Sequence, residues 1–238
     1  MDHVRPISEP AHPSNLPRPV PIVSAIVPSP RHPGRFAVLV DGRSHATLSL
    51  DAIERLKLVV GGSIAGLEER FAEEAAALGV YDRAINMLAF RARSSAELAR
   101  SLVRKGEPSE LVQLAVARLQ EQGLLDDAAF AQAFTRSKVL GAQHSKRRVQ
   151  QDLARKGVSR TVTDVAIATV FEDEGVDQRE IVEQAARKKL RTLVRLDPAV
   201  RRRRLYAFLA RRGYDGEDIR VAMAALGEEL RAGESAAD

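Results

Sequence analysis

The pentapeptide Leu-x-Arg-(Lys/Arg)-Gly occurs three times in this chain, at residues 102–106, 153–157 and 209–213, with glycines 51 and 56 residues apart (157−106, 213−157). Each copy is followed by the same apolar spacing. Val116, Ile167 and Met223 stand ten residues beyond their glycines, and Leu119, Val170 and Leu226 thirteen beyond. A recurrence of this length marks a tandem array of helical units. The pattern predicts a mainly α chain of three tandem three-helix repeats, with a small β element before it.

Helix signals place the elements. First helices are expected to begin near Asp82, Asp127 and Asp177, where an aspartate accepts hydrogen bonds from the open N–H groups of the first turn. Middle helices are expected to start at Ser94 (with Glu97, a capping box), Ser145 and Asp197-Pro198, and to end at Gly106, Gly157 and Gly213. Third helices follow from Pro108, Ser159 and Asp215. The aspartate-to-glycine distances are 24, 30 and 36 residues (106−82, 157−127, 213−177), so the repeats differ in the first helix and its loop.

Before the array, nine of the eleven prolines fall within residues 6–33. Residues 1–20 are expected to form a disordered Pro-rich tail. Residues 22–27, 36–40 and 45–50 read as short strands, the last two joined by the hairpin turn Asp41-Gly42. A short helix is expected from Asp51 to Leu58 and another from Ala65 to a stop at Gly79. The expected organisation is therefore a tail over 1–20, a β-hairpin element with two helices over 21–79, repeats over 80–123, 124–175 and 176–230, and an acidic tail over 231–238.

Composition narrows the function. The chain has no cysteine, which excludes disulfides, thiolate metal sites and cysteine nucleophiles. No apolar run reaches the ~18 residues of a membrane span, and a cytoplasmic location is expected. None of the five histidines has a partner at metal-ligand spacing, and no phosphate-cradling Gly-rich loop is present. The acid clusters Asp126-Asp127 and Glu172-Asp173-Glu174, which could suggest Mg²⁺, belong to helix ends. The reading is a non-enzyme without a cofactor or metal.

Charge is unevenly placed. Residues 177–214 hold twelve Lys/Arg against four Asp/Glu, and residues 215–238 hold seven acids against two arginines. Such a basic segment points to a polyanionic partner. On the middle helices, Val149, Leu153, Leu205, Phe208 and Leu209 form the apolar stripes. Arg148, Gln151 and Arg155 lie on another flank, with Arg204 and Arg211 in the same register of the third repeat. These residues, with Lys188, Lys189, Arg191, Arg201 and Arg203, are the candidate partner- or nucleic-acid-binding set. A cation in a last helical turn also offsets the dipole, which accounts for Arg155 and Arg211. It does not account for the arginines at 201–204, which open their helix, where cations are mildly unfavourable. Gly106, Gly157, Gly213, Asp126, Asp127 and Phe130 are the structural anchors, and Phe130 with Phe134 is assigned to the core.

The stretch Gly123-Leu-Leu-Asp126-Asp127-Ala-Ala-Phe130-Ala131, leading through Phe134 to residues 153–157, resembles the signature of the RecX regulatory proteins. Arg91-Ala92-Arg93-Ser94 with Glu97-Leu98 is similar to the segment opening that family's first repeat. The likeness covers residues 81–226. It implies a cofactor-free protein that lies in the groove of the RecA–DNA filament, limits filament extension, ATP turnover and strand exchange, and so modulates recombination, repair and the DNA-damage (SOS) response. It also implies that the repeats form a curved elongated array. From the basic segment, weak binding of single- or double-stranded DNA without sequence specificity is expected, and so is a monomer. The alternative is a general or transcriptional DNA-binding protein built on helix-turn-helix-like bundles. That alternative needs one distinguished recognition helix, whereas here the basic flank recurs along the chain. A third class, a helical scaffold for another protein, fits the repeats as well.

Overall fold

A computed structural model describes residues 20–231, divided into two compact units, Met1–Gly79 and Val80–Asp238. The tails expected at 1–20 and 231–238 lie outside the described residues, apart from Val20 and Arg231.

In the first unit, β1 (Val23–Pro28), β2 (Arg35–Val40) and β3 (Arg43–Ser49) form an antiparallel sheet in the order β1-β2-β3. Asp41 and Gly42 join β2 to β3 with φ of 50° and 76°, the positive values that a tight hairpin turn demands. The inward residues Val23, Val38, Val40 and Leu48 pack with Ile53, Leu56, Ile64 and Phe71. The short helix α1 (Leu50–Arg55) is capped by Ser49, whose hydroxyl accepts from the Ala52 N–H, and not by Asp51.

The expected stop at Gly79 does not occur. Helix α2 (Glu68–Phe90) runs through it, so Asp82 is an interior residue and opens no helix. A mid-helix glycine costs about 1 kcal/mol relative to alanine. Burial of Phe71 and Leu78 before it, and of Val80 and Ala84 after it, outweighs that cost.

In the second unit the order is α3 (Ser95–Val103), α4 (Ser109–Glu121), α5 (Asp127–Arg136), α6 (Lys146–Lys156), α7 (Arg160–Asp173), α8 (Gln178–Leu190), α9 (Pro198–Arg211), α10 (Gly216–Ala225) and α11 (Gly227–Arg231). The end of α2 with α3 and α4 makes the first repeat, α5–α7 the second and α8–α10 the third. Side-chain caps at Ser94, Asp126, Ser145, Ser159, Asp177, Asp197 and Asp215 each accept a first-turn N–H. Gly106, Gly157 and Gly213 close the middle helices with φ of 91°, 83° and 88°. Between α5 and α6 a π-helical turn (Ser137–Gly141) is followed by Gln143 in the left-handed region.

Repeat one has its own apolar cluster, which includes Ala84, Leu98, Leu102, Val112 and Leu119. Repeats two and three share one continuous cluster that takes in Val149, Leu153, Ile167, Ile181, Leu205, Leu209 and Ile219.

Candidate partner-binding surface

The middle helices α6 and α9 are held with the end of α9 against the start of α6. The Ser145 N–H donates to the Arg212 carbonyl (3.1 Å), and the buried Tyr214 hydroxyl donates to the Gln143 carbonyl (3.0 Å). Gly213 is needed at this crossing, since a Cβ there would stand 2.7 Å from both Ser145 Oγ and Arg148 Cβ.

Beside the crossing opens a cleft of about 420 Å³ lined by Arg147, Arg148, Gln151, Ala210, Arg211, Gly213 and Tyr214. Of the expected contact set, the fold brings Arg148, Gln151 and Arg211 together here and adds Arg147, which the register argument on α6 missed. Arg147 and Arg211 are exposed and form no ion pair among the described residues. The surface is less uniformly basic than the sequence suggests, because Asp152 lies under it. Its carboxylate takes Arg148 Nε at 3.2 Å and Arg155 at 3.3 Å, with His144 Nδ1 at 3.9 Å. Burial, with the charges of Arg212 and Lys138, pushes the His144 pKa down, so the imidazole is neutral around pH 7. Burial likewise raises the Tyr214 phenol and keeps it a hydrogen-bond donor.

Other expected contact residues lie outside this cleft. Arg155, Arg203 and Arg204 are exposed along their helices, and Lys188 and Arg191 are exposed at the end of α8. Lys189 is half-buried with its ammonium over the Phe208 ring (5.5 Å), which Arg212 also covers (4.3 Å).

Arg201 does not belong to a binding surface. It is 2% exposed, and its guanidinium donates to the carbonyls of Val194, Leu196 and Leu230 (3.0 Å each) and of Glu229 (3.4 Å). A cation in the first turns of α9 is therefore accounted for by the carbonyl groups folded around it.

The anchors hold the first two repeats together. Asp126 caps α5, while Asp127 accepts from the Ser95 N–H (2.7 Å), satisfying an open donor of α3 across the repeat boundary. The Ser94 hydroxyl donates to the Lys156 carbonyl (2.6 Å), and Arg100 donates to the Arg155 carbonyl (2.9 Å). Gly157 lies so close to Ala96 that any Cβ would collide with it. Phe130 and Phe134 pack against the apolar cluster of repeats two and three, at its edge. They are half-buried, stack at 6.0 Å, and carry the Lys156 ammonium on their faces at 5.7 and 5.4 Å. Lys156 also donates to Glu97 (3.1 Å). The Glu97 carboxylate, bound first by Arg91 and then by Lys156, has its pKa lowered to about 2.

Among the described residues no group of three His, Asp or Glu side chains is placed to hold a metal, and no helix is long and apolar enough to cross a membrane.

Comparison with known proteins gives this geometry a context. Three family models match in order: RecX, first three-helix domain, over residues 81–119; the second over 126–167; and the third over 177–223. "Regulatory protein RecX" of Chlorobaculum tepidum is 40% identical over 149 residues, covering 62% of this chain and 89% of that protein. The Mycolicibacterium vanbaalenii protein of the same name is 38% identical over 152 residues, covering 60% and 81%. A crystal structure of regulatory protein RecX superposes with a TM-score of 0.69 at 19% identity, covering 86% of this chain and all of the other. RecX from Lactobacillus salivarius gives 0.52 at 16%, covering 64% and 97%.

Proposed function

Since this chain belongs to the RecX family of regulatory proteins, we propose that it is a non-enzymatic, cytoplasmic regulator that binds RecA recombinase filaments and restrains their extension, ATP turnover and strand exchange. The observation that carries this reading is the α6–α9 cleft, where Arg147, Arg148 and Arg211 converge from two repeats. Guanidinium forks suit the carboxylates of an acidic protein groove and the phosphates of DNA equally. Contact to DNA within the filament is weak and independent of sequence in this reading, since backbone phosphates carry no base information.

The test reverses the two cleft arginines that have no ion pair among the described residues. Arg147→Glu with Arg211→Glu changes the local charge by about four units while leaving the Arg148–Asp152 pair in place. DNA-stimulated ATP hydrolysis by the cognate recombinase should be inhibited by the parent and at least about tenfold less well by the variant, at unchanged Tm; a loss of that size corresponds to ~1.4 kcal/mol. A folded variant that inhibits like the parent places the working surface elsewhere. Loss of DNA binding with inhibition intact favours the DNA-binding alternative for this cleft.

A further inference from the structure

The array contains one joint used twice. Its plug is the Leu-x-Arg-(Lys/Arg)-Gly turn that ends a middle helix. Its socket is the first turn of the preceding repeat's middle helix. In the first joint, residues 155–157 enter the socket of α3, with Ser94 and Arg100 donating to the Lys156 and Arg155 carbonyls. In the second, residues 212–213 enter the socket of α6, with the Ser145 N–H donating to the Arg212 carbonyl. In both, the glycine fits because it lacks a Cβ.

Two parts of this scheme remain without a neighbouring repeat. The first plug, residues 102–106, is built like the others, with Gly106 at φ 91°, but no described atom lies within 4 Å of a Cβ placed there. The third socket is the start of α9. Stepping 51 and then 56 residues along the repeat from Ser94 and Ser145 arrives at Arg201 (94+51=145, 145+56=201). Helix α11 sits on this socket. Its last-turn carbonyls, at Glu229 and Leu230, receive the buried Arg201 guanidinium, as the Arg155, Lys156 and Arg212 carbonyls receive donors in the other joints. Leu230 seals the contact at 3% exposure.

We infer that α11 is a stand-in plug that terminates the array, and that the surface beneath it fits the 102–106 turn of a second copy of this chain. The occupant is named by the joint itself, because the other two copies of the same pentapeptide fill the two equivalent sockets. A head-to-tail contact of this kind is heterologous, so it would propagate into open chains or rings of molecules. Repeat proteins require a terminal unit that blocks stacking. Here five residues and one arginine perform that role, and the parent protein remains monomeric.

Sedimentation velocity on full-length protein tests this. Arg201→Ser with Leu230→Ser removes the buried donor and the apolar seal. The weight-average mass should then rise with concentration by about twofold and beyond, as head-to-tail association requires, while the parent stays monomeric. Adding Gly106→Val should return the variant to monomer, because a side chain at that position cannot enter a socket. A folded double variant that stays monomeric overturns the proposal, as does association that persists with Gly106→Val. Should the double variant fail to fold, Arg201→Ser alone is combined with Lys105→Cys and Arg204→Cys in this cysteine-free chain. Oxidation should then give a ladder of cross-linked oligomers, and each single-cysteine control dimers at most. Absence of a ladder, or α11 amides as protected from exchange as in the parent, overturns it equally.

Discussion

The two internal joints share a design and differ in what holds them. Between repeats two and three the apolar cluster is continuous, and Leu153, Leu205 and Leu209 belong to one core. Between repeats one and two the clusters are separate, and the joint is polar: Ser94 to Lys156, Arg100 to Arg155, Ser95 to Asp127 and Glu97 to Lys156. Apolar burial is non-directional and has no charge to titrate, whereas charged contacts respond to pH and to ionic screening. Repeats two and three should therefore behave as one cooperative block, with repeat one attached by contacts that can be loosened separately.

The largest effect should come from the shared core. Leu209→Ala should cost about 3 kcal/mol and raise amide exchange in both α6 and α9. Leu102→Ala, at the equivalent place in repeat one, should raise exchange in α3 and α4 and leave α9 protected. Equal spreading from both substitutions would refute the difference between the joints.

A middle-sized effect is expected at Gly157. Its φ of 83° and its contact with Ala96 leave no room for a side chain. Gly157→Val should lower stability by at least ~1 kcal/mol through backbone strain alone, and it should also open the first joint, read as faster exchange at Ser95 and Glu97. A variant melting like the parent would mean that the joint contributes nothing.

The smallest effect is electrostatic. The Glu97 pKa is about 2 in the folded protein, below its ordinary 4.5. A depressed carboxyl contributes stability that is fully present above its unfolded pKa and lost as pH falls through the folded value. Repeat one should therefore loosen between pH 4.5 and 2 while the block of repeats two and three holds its charge-independent packing. Glu97→Gln should remove that pH dependence at a cost of ~1 kcal/mol at neutral pH. Acid titration with exchange readout at α3 and at α9 separates the two, and parallel loosening would argue against the comparison.

Much of this was legible in the chain because its signals are local. The pentapeptides, the caps at Ser94, Ser145, Asp197 and Asp215, and the turn at Asp41-Gly42 depend on a few consecutive residues whose backbone preferences suffice. Features set by distant packing were not legible. Gly79 reads as a stop, but burial on both sides carries α2 across it. Arg201 is indistinguishable in sequence from Arg203 and Arg204, and its burial is decided by α11, 28 residues later. Arg147 carries no distinguishing signal because register on one helix does not reveal which flank faces α9, and Asp152 is masked in the pattern by the basic residues around it. Phe130 and Phe134 carry a core-like spacing and do pack against the core, but the Lys156 ammonium on their faces comes from a residue too distant in sequence to be read.

The π-helical turn at Ser137–Gly141 and the left-handed Gln143 have a consequence for how such a chain can change over time. They take up length between α5 and α6 just ahead of Ser145, where the socket begins. In the third repeat the loop after α8 plays the same part, its Val194 and Leu196 carbonyls held by Arg201. Insertions at these points are absorbed before they reach a joint, much as slack in a cable protects its connectors. The spacing from first helix to glycine can thus drift from repeat to repeat while the glycine-anchored turns stay interchangeable.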